Sequence, residues 1–294
     1  MASLPRPVVE RIARYAVKPV VGLPPRPKRM AMEALARLSV VPGGVSVSRQ
    51  VRGGVAGELV SREGSVGPAR VLYLHGGAYE WGSPRTHRNV VVTLALRSGK
   101  PIFAADYRLG PEHPAPAALD DALAVYEAMV ADTADGVALA GDSAGAGLSL
   151  ALAVAARDRG LPGPACLALI SPWVDLTMSG ESIGTNQDSD ALLSPDALRR
   201  SAAGYVADLG AAHPVCSPIR ADLAGLPPML IHVGGGELFL SEGQALGRRA
   251  EAAGVDVEVH VFNGLWHDFH LHAGMLNEAD AAMAELGAFV RALL

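Results

Sequence analysis

Five residues, Gly141-Asp142-Ser143-Ala144-Gly145, constrain the fold of this chain more than any others. A short apolar run, Val137-Ala138-Leu139-Ala140, precedes them, and an Ala/Leu-rich stretch without Pro or Gly follows from Leu148 to Ala156. The order is strand, tight turn, helix, with a serine at the tip. In that setting Gly-x-Ser-x-Gly reads as a nucleophile elbow, in which a strained backbone lifts the serine Oγ over the end of a sheet. Glycines flank the serine because the turn is too sharp for a Cβ to pass its neighbours. The same residues would also suit an ordinary glycine-rich turn, so the surroundings must decide.

The surroundings alternate. From Val45 the pattern is strand-like: Val45 to Val51 and Val55 to Val60 flank Gly53-Gly54 as a hairpin. Strands then follow at Arg70–Leu74, Ile102–Ala105, Val137–Ala140, Leu167–Ile170, Met229–Val233 and Val255–Phe262. Helices fall between or after them at Pro84–Arg97, Ala117–Val130, Gly145–Arg159, Pro195–Leu209, Glu242–Ala253 and Glu278–Leu293. Alternating strands and helices predict a mostly parallel sheet with helices on both faces. Residues 1–44 differ. Val8–Val17 and Lys28–Leu38 read as two helices separated by Pro19 and the run Leu23-Pro24-Pro25-Arg26-Pro27. Residues 175–225 are too long and polar for an ordinary connection. Both segments are expected to form a cap over a core at 45–294, although a surface arm would read the same way for 1–44.

With 294 residues, half of them hydrophobic, the chain suffices for one large α/β domain or two small ones. Aromatics are only 5%, so Val, Leu and Ala must fill the core. A net charge of −5 provides no basic surplus for nucleic acid or an anionic membrane. Cys166 and Cys216 alone make neither a disulfide framework nor a zinc site. No stretch approaches the roughly 18 apolar residues of a membrane span. Arg6, Glu10, Arg11 and Arg14 interrupt the apolar residues near the start, where a signal peptide would have an apolar core. The expectation is a soluble, cytoplasmic protein without stable membrane insertion.

A serine nucleophile needs a base, a group to orient that base, and donors for the oxyanion. His75-Gly76-Gly77-Ala78 directly follows the strand at Arg70–Leu74, where backbone N–H groups of Gly76 and Gly77 can face a carbonyl oxygen; the N–H of Ala144 would be a further donor. His75 reads as a loop organiser. Of nine histidines, His267 lies after the last strand, at the strand end where open α/β sheets place functional loops. His232 and His260 fall within strands and read as packed or hydrogen-bonded. His267, His270 and His272 lack the partner spacing of a metal set, so no metal is expected. For the acid, Glu237 is the first carboxylate after Met229–Val233. Helix capping would also explain Glu237, and the helix dipole explains Glu242. Asp256 lies along a strand, and Asp268, adjacent to His267, would have to fold back to meet its ring.

Together these stretches resemble the hormone-sensitive-lipase-like family of α/β-hydrolase esterases, from about Val45 onward. The likeness rests on His75-Gly76-Gly77-Ala78-Tyr79; Asp106-Tyr107-Arg108-Leu109 with Pro111-Glu112-His113-Pro114; Gly141–Gly145; Ser171-Pro172-Trp173-Val174-Asp175-Leu176; and Trp266-His267, in that order. The resemblance implies an α/β-hydrolase fold with an eight-stranded sheet, a helical cap and no cofactor. It implies hydrolysis of short- to medium-chain esters through an acyl-enzyme, with Ser143 as nucleophile, His267 as base and Gly76, Gly77 and Ala144 as oxyanion hole. It also implies polar groups holding the loops beneath the site, Asp106 with Arg108 and Glu112 with His113. The chain departs from the family pattern at Ala78, where a third glycine is usual, and at Gly236, where an aspartate is usual. Glu237, one residue on, is then the expected acid, with Asp175 the second candidate.

The expected function is a serine carboxylesterase acting on a small-molecule ester, with a homodimer as its possible assembly. A binding module that has lost full catalysis is the rival that Gly236 suggests. An acyltransferase or amidase would use the same nucleophile.

Overall fold

The computed structural model describes residues 3–37, 41–65 and 67–294. β1 (Val45–Arg52) and β2 (Val55–Arg62) pair antiparallel from Val45↔Arg62 to Arg52↔Val55. Gly53 and Gly54 both take positive φ, 56° and 81°, as a two-residue hairpin of matching twist requires. Then come β3 (Val71–Leu74), β4 (Ile102–Ala105), β5 (Ala138–Asp142), β6 (Leu167–Ile170), β7 (Met229–Gly234) and β8 (Val257–Phe262). They form one eight-stranded sheet in the order β1-β2-β4-β3-β5-β6-β7-β8, parallel from β4 to β8. β3 to β7 are buried along their whole length, which is why they read as continuous apolar runs.

The helices are α1 (Arg6–Ile12), α2 (Lys18–Val21), α3 (Pro25–Ala36), α4 (Arg88–Ser98), α5 (Ala117–Asp132), α6 (Ser143–Asp158), α7 (Ser182–Thr185), α8 (Pro195–Val206), α9 (Leu240–Ala252) and α10 (Asn277–Leu293). α4 packs on α10, and α5 on α6. Several boundaries differ from the sequence expectation, each for a local reason. Pro19 does not end the first helix. A π-helical turn over Ala13–Val17 hands over to α2, in whose first turn the missing proline N–H is not needed. Pro25 and Pro27 likewise lie in the first turn of α3, so the helix starts ahead of Lys28; Leu38, its expected end, lies outside the described residues. Pro84 does not open α4. Residues 84–87 form a turn in which Ser83 Oγ accepts the Thr86 N–H at 3.2 Å, and the helix begins at Arg88.

α1 to α3 lie against the 175–225 segment and the loops after β3 and β4. Arg14 donates to the carbonyls of Asp188 and Ser189 at 2.8 and 2.9 Å, and Lys18 to that of Asp190 at 2.7 Å. Arg29 donates to the carbonyls of Glu80 and Gly110, both at 2.6 Å, and Lys28 makes a buried ion pair with Glu80. Glu112 therefore pairs with Arg29, not His113, and Arg108 pairs with Asp121, not Asp106. Among the described residues, no helix is long and apolar enough to cross a membrane.

Candidate active site

The elbow has the strain its sequence implies. Ser143 opens α6 with φ 52°, a left-handed value a serine rarely takes. A Cβ on Gly141 or Gly145 would run into the Leu74 carbonyl of β3, so both positions require glycine. The helix starts at Ser143 itself, two residues ahead of its expected start at Gly145. The N–H of Ala144 is then in the first turn, where an α-helix provides no acceptor.

The loop after β3 is as tightly made. Gly76 leaves no room for a Cβ against Asp142, nor Gly77, at φ 117°, against Trp81. Ala78 and Tyr79 also take positive φ, 54° and 60°. Beneath them Tyr107 donates its hydroxyl proton to the His75 carbonyl at 2.6 Å and stacks on the His75 ring. Burial pushes His75 down to about 3, leaving a neutral ring whose Nδ1 lies 2.7 Å from the Gly76 carbonyl.

His267, from the loop after β8, reaches back across the sheet. Its Nε2 is 2.9 Å from Ser143 Oγ. Its ring stands edge-on to Phe239 with centroids 5.1 Å apart. On the other side, Glu237 Oε1 lies 3.7 Å from Nδ1, just beyond hydrogen-bond reach, and neither atom has another partner among the described residues. Glu237 is fully buried, and its second oxygen is pinned: Oε2 accepts from the Gly234 N–H at 2.6 Å and from Ser171 Oγ at 2.7 Å. The next residue is fixed too, since Asp190 accepts the Leu238 N–H at 3.0 Å. Asp175 is engaged elsewhere, by Thr177, Ser179 and Arg220. Glu242 lies in the first turn of α9, where the helix dipole favours it, and is buried, accepting the N–H groups of Val174 and Asp175 at 3.2 and 3.1 Å.

One carboxylate overturns the sequence reading. Asp268 does fold back onto its neighbour's ring, with Oδ2 3.0 Å from His267 Nε2. The left-handed conformation of Asp268, φ 52°, makes this possible, and aspartate tolerates it better than most residues. Its own N–H donates to Ser171 Oγ at 3.2 Å. Nothing in the sequence marks this beyond the adjacency. Burial raises Asp268 to about 7, against the lowering effect of His267. Burial alone would depress His267, but Asp268 and then Glu237 hold it well above the usual histidine value. A second unforeseen pair lies below: His87 Nε2 is 3.2 Å from Asp142 Oδ2, and Tyr73 donates to Asp142 Oδ1 at 2.6 Å.

Ser143, His267 and Asp268 face a small cavity of about 70 Å³. Val17, Val21 and Met32 line it from the N-terminal helices, and Leu192, Leu193 and Leu198 from the 175–225 segment. A larger polar groove of about 750 Å³, lined in part by Arg29, Glu33, Arg49 and Asp106, carries no histidine, so we place the chemistry in the small cavity. An imidazole beside a serine hydroxyl, a buried carboxylate behind it and a tight glycine loop ahead of it together suit acyl transfer.

Residues 71–271 match the model of a family described as having the α/β-hydrolase fold. An acetyl-hydrolase of Streptomyces hygroscopicus is 40% identical over 268 residues, covering 89% of this chain and 86% of that protein. An esterase of Acinetobacter venetianus is 34% identical over 276 residues, covering 93% and 91%. The crystal structure of a hormone-sensitive lipase from a metagenome library superposes with a TM-score of 0.91 at 41% identity, covering 97% of this chain and 96% of that one. The chain belongs to the α/β-hydrolase family, in its hormone-sensitive-lipase-like branch.

Proposed function

We infer that the chain is a carboxylesterase that hydrolyses small-molecule esters, and we propose that it does so through a serine acyl-enzyme on short- to medium-chain acyl groups. Ser143 Oγ attacks the ester carbonyl as His267 Nε2 takes its proton. The N–H groups of Gly76, Gly77 and Ala144 receive the oxyanion. Collapse of the tetrahedral intermediate expels the alcohol, which takes the proton from Nε2. Water, deprotonated by the same nitrogen, then attacks the acyl carbon, releases the acid and restores Ser143. Glu237 holds Nδ1 protonated so that Nε2 is the basic nitrogen; its 3.7 Å separation is of the kind that closes when substrate binds. The carrying observation is the 2.9 Å contact between His267 Nε2 and Ser143 Oγ inside the apolar cavity.

The lining residues support reading 1–44 and 175–225 as two halves of a cap whose apolar side chains hold the acyl group. So small a space favours short chains. The cytoplasm is the proposed location, and a homodimer the proposed assembly. The test is covalent labelling by a fluorophosphonate, together with turnover of a nitrophenyl ester series. Wild type should be labelled at Ser143 and favour acetyl or butyryl esters, and Ser143→Ala should do neither. Labelling that survives Ser143→Ala would overturn the assignment.

A further inference from the structure

β7 and β8 pair in register, so His232 and His260 stand side by side, and α10 brings Glu285 to both. One ligand atom from each of the three lies within 4.8 Å of the others. His260 Nδ1 is 3.1 Å, and His232 Nε2 3.6 Å, from the same oxygen, Glu285 Oε2. Ligands held tetrahedrally at zinc bond lengths stand about 3.3–3.4 Å apart. These two spacings bracket that value.

The opposite ring nitrogens both have partners. His232 Nδ1 lies 3.2 Å from His270 Nε2, and His260 Nε2 lies 3.2 Å from Glu258 Oε2. Such outer partners fix the tautomer and turn the free nitrogen toward an ion. The remaining nitrogen of His232 is the telling atom. His232 is fully buried, and its Nε2 has no hydrogen-bond partner among the described residues. A surface ion pair between His260 and Glu285 would explain those two residues but leave this buried nitrogen unsatisfied, which is costly. The side chains of His260 and Glu285 are 41% and 47% exposed, giving an ion a way in and water a fourth position.

We propose that His232, His260 and Glu285 bind one divalent transition ion of the zinc class, as a structural site. None of the three lines the cavity that holds Ser143. Two imidazoles and one carboxylate favour such an ion over magnesium or calcium, which prefer all-oxygen sets. The ion would tie α10 to the edge strand β8. Through His270 it would also steady the turn at Phe269–His272, which follows His267.

The test is calorimetric titration of the tag-free, metal-stripped full chain with zinc chloride, and separately with magnesium chloride, near neutral pH. The proposal expects one zinc per chain and no magnesium. It expects His260→Ala and Glu285→Gln each to weaken zinc binding by about tenfold or more. Both side chains are half-exposed, so the variants should fold and keep the ester turnover of the stripped wild type. Absence of zinc binding at millimolar zinc, or zinc affinity unchanged in both variants, would overturn the proposal.

Discussion

Glu237→Gln isolates the charge of the proposed acid while keeping its shape. The side-chain oxygen of the introduced glutamine has one place to go. The Gly234 N–H and the Ser171 hydroxyl both donate to the inner oxygen, at 2.6 and 2.7 Å, so the glutamine carbonyl should settle there. The amide NH₂ then faces His267 Nδ1 and donates to it. That forces the proton onto Nε2, where Asp268 Oδ2, 3.0 Å away, is ready to accept it. The imidazole is thus held in the tautomer that cannot take the serine proton. The comparable tautomer reversal in a serine-protease triad lowers turnover by about 10⁴. At ~1.36 kcal/mol per tenfold, that is about 5.4 kcal/mol of lost transition-state stabilisation. The assay is kcat on a nitrophenyl butyrate, with Ser143→Ala as the zero and circular dichroism to check the fold. A folded Glu237→Gln enzyme within tenfold of wild type would refute the reasoning: the acid would lie elsewhere, or Ser143 and His267 would act as a dyad.

Three further outcomes are expected. Asp268→Asn removes a carboxylate that raises His267; since the base works only when neutral, the acidic limb of kcat/KM should move to lower pH, and an unmoved limb would count against this role. Lys28→Ala leaves Glu80 buried without its partner and should cost about 3–5 kcal/mol in urea denaturation, whereas pairing Lys28→Met with Glu80→Gln should recover most of the loss. Leu198→Ala enlarges the cavity, and the octanoyl-to-butyryl ratio of kcat/KM should rise by about tenfold or more; an unchanged ratio would mean that the acyl chain lies elsewhere.

Local patterns made most of this architecture legible. The buried strands were readable because a parallel strand covered on both faces leaves a continuous apolar run, as Val71–Leu74 and Leu167–Ile170 do. The elbow was readable because only glycine fits beside Leu74 at positions 141 and 145. Helix starts at proline are less legible. Whether Pro19, Pro25 or Pro84 opens, continues or only precedes a helix depends on which backbone N–H groups are left without acceptors, and that is a tertiary question. The side chains that meet from separate elements left no local trace. His87 with Asp142, Lys28 with Glu80, and His232 with His260 and Glu285 are brought together only by strand pairing and packing in the folded chain.

Glu237, the proposed acid, stands one residue past Gly236, where the family resemblance implies an aspartate. The Gly236 backbone is held from both ends of its peptide groups: its N–H donates to the Leu265 carbonyl at 2.8 Å, and its own carbonyl accepts from Ser189 Oγ at 2.8 Å. The chain path at 236 is therefore kept without a side chain. Glu237 starts one residue later, and its buried carboxylate lies beside the His267 ring. The Gly234 N–H and Ser171 hold one oxygen there and present the other to Nδ1. Ser171 also receives the Asp268 N–H, so one hydroxyl ties the carboxylate behind the imidazole to the backbone that carries it. Ser171→Ala should therefore lower kcat while labelling stoichiometry at Ser143 is kept, with a stability loss of about 1.5–3 kcal/mol for the lost charged hydrogen bond. A thermal melt and a turnover assay on the same preparation check both. If kcat holds while stability falls, Ser171 supports the fold alone, and Glu237 needs no partner to stay beside the ring.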